Sequence, residues 1–140
     1  MKIHVATDHA GFMHKEAVIE HLKQKGLEVL DHGAFMLSPE DDYPDFIKEA
    51  AEGVVKDEDD LGIVFGYSGE GEAMVANRYP GIRAAVYTGG SDEIIVLSRE
   101  HNNANMLSIG AHFVSIDQTL RAVDLWLSTP FSNDARHIRR

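Results

Sequence analysis

With 140 residues, 44% of them hydrophobic, and no long polar tract, the chain has material for one core of ordinary size and none for a second domain. A formal charge of −10, from 13 basic against 23 acidic residues, opposes attraction to nucleic acid and to anionic membrane. The absence of cysteine excludes a disulfide framework, a thiolate metal site and a thiol nucleophile, and no apolar stretch approaches a membrane span, so the expectation is a soluble cytoplasmic protein of one domain, residues 1–140.

The alternating segment Lys2 to Thr7 predicts a first strand that ends at Asp8-His9. From His14 to Lys25, Val18, Ile19 and Leu22 share one helix face, and Gly26 follows as a suitable left-handed terminator. A second strand is predicted over Leu27 to Leu30. The next helix opens near Pro44, whose fixed φ suits a first turn, and Phe46, Ile47, Ala50, Ala51, Val54 and Val55 repeat the one-sided spacing. Leu61 to Phe65 is a third strand, followed by the turn Gly66-Tyr67-Ser68-Gly69-Glu70-Gly71-Glu72 and a short helix from about Glu72 that ends at Tyr79-Pro80-Gly81. Ile82 to Tyr87 is a fourth strand. Ser91, with Asp92 and Glu93 behind it, caps a helix that closes at His101. After a fifth strand, Met106 to Ile109, the run Ser115-Ile116-Asp117-Gln118 fits a capping box, and Thr129-Pro130 halts the helix it starts. The acidic runs Glu40-Asp41-Asp42 and Asp57-Glu58-Asp59-Asp60 read as solvated loops and helix ends, and against them the basic tail Arg136-His137-Ile138-Arg139-Arg140 could hold an anion.

Five strands alternating with helices predict an α/β fold with a parallel sheet, whose polar site forms beyond the carboxyl ends of the strands. The richest of those ends is the glycine turn. Gly66, Gly69 and Gly71 allow positive φ and exposed N–H groups, which would make a cradle for an anion or oxyanion. Read from Gly69, the dinucleotide pattern finds Met74 at its third glycine, and no Gly-Lys-Ser/Thr follows, so neither a dinucleotide fingerprint nor a P-loop is present. A plain strand-to-helix connection would carry the same glycines. Glu72 reads either as favourable charge at a helix start or as a base over the turn, able to take a proton from a carbon acid; Glu70 fits the first role better. Asp8-His9 reads as a turn pair or a site, and His101 as a helix-end cation or a catalytic group. The eight histidines show no metal-ligand spacing, so no metal is expected.

Taken together, Thr7-Asp8-His9-Ala10-Gly11-Phe12, Asp42-Tyr43-Pro44-Asp45, Gly69-x-Gly71, Ala76-Asn77-Arg78, Gly81-Ile82-Arg83-Ala84, Arg99-Glu100-His101-Asn102-Asn103-Ala104-Asn105 and Arg136-His137-x-Arg139-Arg140 appear in order. On these segments the chain resembles, from end to end, the ribose-5-phosphate isomerase B family, which includes the galactose-6-phosphate and allose-6-phosphate isomerases. The resemblance implies a three-layer α/β/α Rossmann-like sandwich with a five-stranded parallel sheet, no cofactor, and a homodimer or tetramer with active sites shared between subunits. It implies aldose–ketose isomerisation of a phosphorylated sugar through an enediol. Asp8 and His101 would assist ring opening; Ser68 and the turn amides of Gly69, Glu70 and Gly71 would bind the reacting oxygens. Asn102 would contact the enediolate, Tyr43 would line the sugar, and His9, Arg136 and Arg140 would hold the phosphate, arginine because its planar fork meets phosphate oxygens in pairs.

Three departures from that family are visible. Where many members carry a Cys base after the third strand, this chain has Gly66; the branch lacking the Cys uses a Glu at the position of Glu72, which makes Glu72 the expected base. His112 stands where the family often has a phosphate-binding Arg, and is a weaker, pH-dependent cation. Tyr67 replaces a usual small residue of the turn, and the chain stops at Arg140, short of the usual tail. Ribose 5-phosphate and ribulose 5-phosphate are the expected pair, with erythrose 4-phosphate, allose 6-phosphate or galactose 6-phosphate as alternatives. A noncatalytic phosphometabolite-binding protein is the rival from another class. A response-regulator receiver would need an acidic pair, an Asp and a Lys where the chain has Asp8-His9, Gly66 and Gly110.

Overall fold

Strands β1 (Ile3–Thr7), β2 (Val29–Asp31), β3 (Leu61–Gly66), β4 (Ala84–Tyr87) and β5 (Met106–Gly110) form one all-parallel sheet in the order β2-β1-β3-β5-β4. The computed structural model describes residues 1–140. Every residue of β1, β3 and β5 is buried, the mark of a sheet covered on both faces. Because side chains alternate along a strand, Ile3, Val5, Ile63, Phe65, Leu107 and Ile109 pack on one face, and Ala6, Val64 and Met106 on the other. Against the first face lie helices α1 (Phe12–Gln24), α4 (Asp92–Glu100) and α5 (Ile116–Ser128), contributing Val18, Leu22, Ile95, Val123 and Trp126. Against the second lie α2 (Tyr43–Val54) and α3 (Glu70–Ala76), contributing Ile47, Ala50, Ala51, Val54 and Val75. The result is the expected three-layer sandwich.

Boundaries differ from the sequence expectation where the backbone has other partners. The first helix begins at Phe12, not His14, because a 3₁₀ turn over His9–Gly11, capped by Asp8, winds directly into it. The second strand starts at Val29: Gly26 takes φ +77, and the Leu27 N–H still returns to Leu22 O. The fourth starts at Ala84, since Ile82 N–H closes a turn on Tyr79 O and Arg83 N–H donates to the Asn105 side chain. The glycine-turn helix begins at Glu70, two residues earlier than expected. The basic tail, for which the sequence pattern suggests an anion site and no particular element, coils into α6 (Ala135–Arg139). The Ser115–Gln118 capping box forms with both of its hydrogen bonds. No helix is long and apolar enough to cross a membrane.

Candidate active site

β1 and β3 are neighbours, but the chain leaves β1 for α1 on one face and β3 for α3 on the other. A crevice opens where such connections diverge. Asp8 enters it from the end of β1. Its side chain caps the 3₁₀ turn, accepting from Ala10 N–H at 2.9 Å, and it is only 7% exposed. Burial raises its carboxyl above the ordinary value against the opposing pull of that amide and of His9.

His9 is held by Asp41, whose Oδ1 accepts from both the ring Nδ1 at 2.6 Å and the His9 backbone N–H at 3.0 Å. Asp41 is therefore not the solvated loop acid that the run Glu40-Asp41-Asp42 suggests; its side chain is 10% exposed. Asp8, His9 and Asp41 bring three potential donor atoms within 4.8 Å of one another. Two of these are already bonded to each other, so the group is a His–Asp dyad beside a buried acid. Tyr43, the first residue of α2, lies over Gly71: a Cβ there would stand 2.7 Å from the Tyr43 hydroxyl.

The glycine turn sits on the ends of β3 and β5. Gly69, at φ +79, caps α3, and a Cβ on it would come within 3.0 Å of Gly110 N. Ser108 Oγ donates to Gly69 O at 2.6 Å and fixes the turn from below. The N–H groups of Ser68, Gly69 and Gly71 donate to no other group of the chain, whereas the Glu70 amide is taken by Ser68 Oγ at 3.3 Å. Glu70 itself is exposed, as its reading as helix-start charge requires.

Glu72 turns inward. Any side chain on Gly66 would overlap its carboxylate, which occupies the volume that a residue at position 66 would otherwise fill. At 4% exposure, burial raises the Glu72 carboxyl above its ordinary value; its own amide opposes the shift and the nearby Asp8 charge adds to it. A shielded carboxylate of raised pKa beside three unused amides is equipped to move a proton at carbon and to hold the oxyanion that forms.

Tyr67 and His112, read separately from sequence, are one feature. Their rings stack at 4.2 Å and 14°, Phe113 meets both edge-on, and His112 N–H donates to Tyr67 O at 3.1 Å.

His101, Asn102 and Arg140 lie elsewhere. Helices of a parallel α/β sandwich run back against their strands, so the end of α4 returns to the amino edge of the sheet. There His101 closes α4, and a cleft of about 710 Å³ is lined by His101, Asn102, Asn103, Arg83, His137 and Arg140. The six residues of β3, at about 3.3 Å each, put roughly 20 Å between this edge and the glycine turn. His137, which sequence reasoning passed over inside the basic tail, is buried and stacks on His101 at 4.2 Å, with its Nε2 unpartnered. Arg136 is exposed at the start of α6 and does not line the cleft. One chain thus groups Asp8, His9, Tyr43, Ser68 to Glu72 and His112 at one edge, and His101, Asn102 and Arg140 at the other.

A family model described as Ribose/Galactose Isomerase matches residues 3–140. Ribose-5-phosphate isomerase B of Mycobacterium tuberculosis (strain CDC 1551 / Oshkosh) is 44% identical over 140 residues, all of this chain and 85% of that protein. The namesake from Mycolicibacterium paratuberculosis is also 44% identical, with 87% of its length covered. Among solved structures, ribose-5-phosphate isomerase B from Mycoplasma genitalium with bound ribulose-5-phosphate superposes with a TM-score of 0.94 at 38% identity, covering 99% of this chain and 90% of that one. The Clostridium thermocellum enzyme gives 0.93 at 42% identity, covering 100% and 92%.

Proposed function

The chain belongs to the ribose/galactose isomerase family and is an aldose–ketose isomerase, and we propose that it interconverts ribose 5-phosphate and ribulose 5-phosphate with Glu72 as the base. The observation that carries this reading is the Glu72 carboxylate lodged in the space left by Gly66, beside the free amides of the turn. The open-chain sugar binds with C1 and C2 over the turn. Glu72 takes the proton from C2 and returns it to C1, and a proton passes from O2 to O1, while Ser68 and the amides of Ser68, Gly69 and Gly71 hold the enediolate oxygens. Raised by burial, the Glu72 pKa lies nearer the working pH than a free carboxylate's, which suits one group to both removing and returning the proton. The reaction needs no cofactor, since the electrons are redistributed within the substrate and Glu72 carries the proton. Residues 1–140 act as one isomerase domain, in the cytoplasm.

The functional unit in this reading is a homodimer, alone or within a tetramer, in which the cleft of one chain faces the glycine turn of the other. Support comes from the separation of His101, Asn102 and Arg140 from Asp8 and Glu72 by the length of the sheet. Across such an interface Asp8 and a second chain's His101 open the sugar ring, Asn102 contacts the enediolate, and Tyr43 lines the sugar. Phosphate is held by His9 together with Arg136 and Arg140, with His112 as a further cation. The Tyr67–His112 stack favours a second possibility for the substrate, a four- or six-carbon sugar phosphate, because it changes the bulk beside the turn; a panel of C4, C5 and C6 aldose and ketose phosphates decides between them.

Exchange of solvent deuterium into the substrate at C2 tests the chemistry. Glu72→Gln should abolish it in folded protein, and near wild-type turnover would remove Glu72 as base. Mixing and reassembling inactive Glu72→Gln with inactive His101→Ala tests the shared site: random pairing leaves roughly a quarter of sites intact in a twofold dimer. If no activity returns although mixed dimers form, the two edges do not combine.

A further inference from the structure

Resting on the isomerase reading above, we propose that Asp41 is a positioning residue for phosphate recognition, orienting the His9 ring and leaving its Nε2 as the one nitrogen free to meet the phosphate. Asp41 Oδ1 clamps His9 twice, through the ring Nδ1 at 2.6 Å and the backbone N–H at 3.0 Å, so ring and main chain are fixed to one oxygen. The second carboxylate oxygen, Oδ2, is buried and has no partner. A carboxylate placed this way is poorly compensated as a structural group, since its only charged neighbour in bonding reach is the imidazole. Its position is accounted for by what it does to His9, whose side chain remains 38% exposed on the other side.

The chemistry of imidazole makes this clamp consequential. With Nδ1 donating to Asp41, a neutral ring would present Nε2 as a lone pair, which repels a phosphate dianion; only the imidazolium presents Nε2–H. Asp41 both selects this orientation and favours the charged form. The groups acting on the ring are acidic from each side: Asp41 and Glu40 from the loop before α2, and Asp8 from the end of β1. Hydrogen bonding to Asp41 is the largest of the influences that raise the His9 pKa. In carboxylate–histidine pairs behind metal sites the same arrangement fixes tautomer and basicity; here the object is an anion.

The test uses Asp41→Asn, which keeps an acceptor oxygen but removes the charge, together with Asp41→Ala, His9→Ala and the double variant. NMR titration of His9 should show its midpoint moved to lower pH in Asp41→Asn. At a pH near 8, KM for ribose 5-phosphate and the dissociation constant of inorganic phosphate, measured directly by calorimetry, should rise on the order of tenfold, with kcat within about twofold. On the His9→Ala background, Asp41→Ala should cost nothing further, because Asp41 acts through the ring. An unchanged His9 midpoint in Asp41→Asn, or an equal loss from Asp41→Ala with and without His9, overturns the proposal. The NMR titration and phosphate binding need no turnover, so they decide the role of Asp41 even if the wild-type chain fails to isomerise ribose 5-phosphate, a result that would instead sink the substrate assignment.

Discussion

Replacing Gly66 by Ala should disable the enzyme while leaving it folded. The farther oxygen of the Glu72 carboxylate lies 2.5 Å from where the new Cβ would stand, against about 3.5 Å for an ordinary contact, so the carboxylate must retreat by about 1 Å or more. A displacement of that size at a reacting group costs about 10²-fold in rate, or about 2.7 kcal/mol in the barrier. The fold should tolerate the change. Gly66 does not occupy the left-handed region, and the group in its way is the end of a flexible side chain, not backbone. The overpacking that the new methyl introduces, which destabilises, and the reduced entropy of the unfolded chain, which stabilises, should nearly cancel, leaving stability within about 1 kcal/mol of wild type. Steady-state isomerisation of ribose 5-phosphate beside urea denaturation measures both quantities. A variant that keeps kcat within threefold would refute the placement of the base, and one that loses activity only by unfolding would refute the claim that Glu72 gives way.

A Gly66→Cys/Glu72→Ala double variant puts a thiol into the same volume, as the wider family's Cys base suggests; it should exceed Glu72→Ala at least about tenfold and be inactivated by iodoacetamide, and insensitivity to alkylation would count against it. Folding raises the Glu72 pKa from 4.5, so its stabilising contribution is full below that unfolded value and is lost as the pH rises through the folded one; Glu72→Gln should therefore melt above wild type at about pH 8 and level with it near about pH 4. The same titration should give wild-type kcat an acid limb lying above the free-glutamate value, measured in a pH–rate profile. Gly53→Ala should destabilise by about 1 to 2 kcal/mol, because a Cβ there overlaps the buried His4 ring, and that cost exceeds a helix-propensity gain of about 1 kcal/mol. His4 cannot step aside without releasing Asp60 at 3.0 Å and His32 at 2.9 Å. An unchanged melting temperature would show that α2 shifts freely.

Local chemistry made much of the site readable. Gly69 needs a left-handed φ, Ser115 and Gln118 need each other, and Asp8 caps the turn that follows it; each constraint is satisfied within a few residues. Asp41 and His137 were hidden because their partners, His9 and His101, lie 32 and 36 positions away in the numbering, and an acidic run or a basic tail looks solvated until something covers it. Tyr67 and His112 likewise looked like separate departures until β3 and β5 set their ends side by side.

The amino-acid sequence by itself determined the alternation of strands and helices and the glycine turn after β3, since periodicity, capping and backbone freedom act at short range; it left Glu72 as either helix-start charge or base, and the family resemblance singled out the second role. Only the tertiary structure decided that Glu72 fills the space of Gly66, that Asp41 holds His9, and that His101 and Arg140 sit at the far edge of the sheet. Those relations depend on strand order and on the antiparallel return of each helix, which no local pattern encodes.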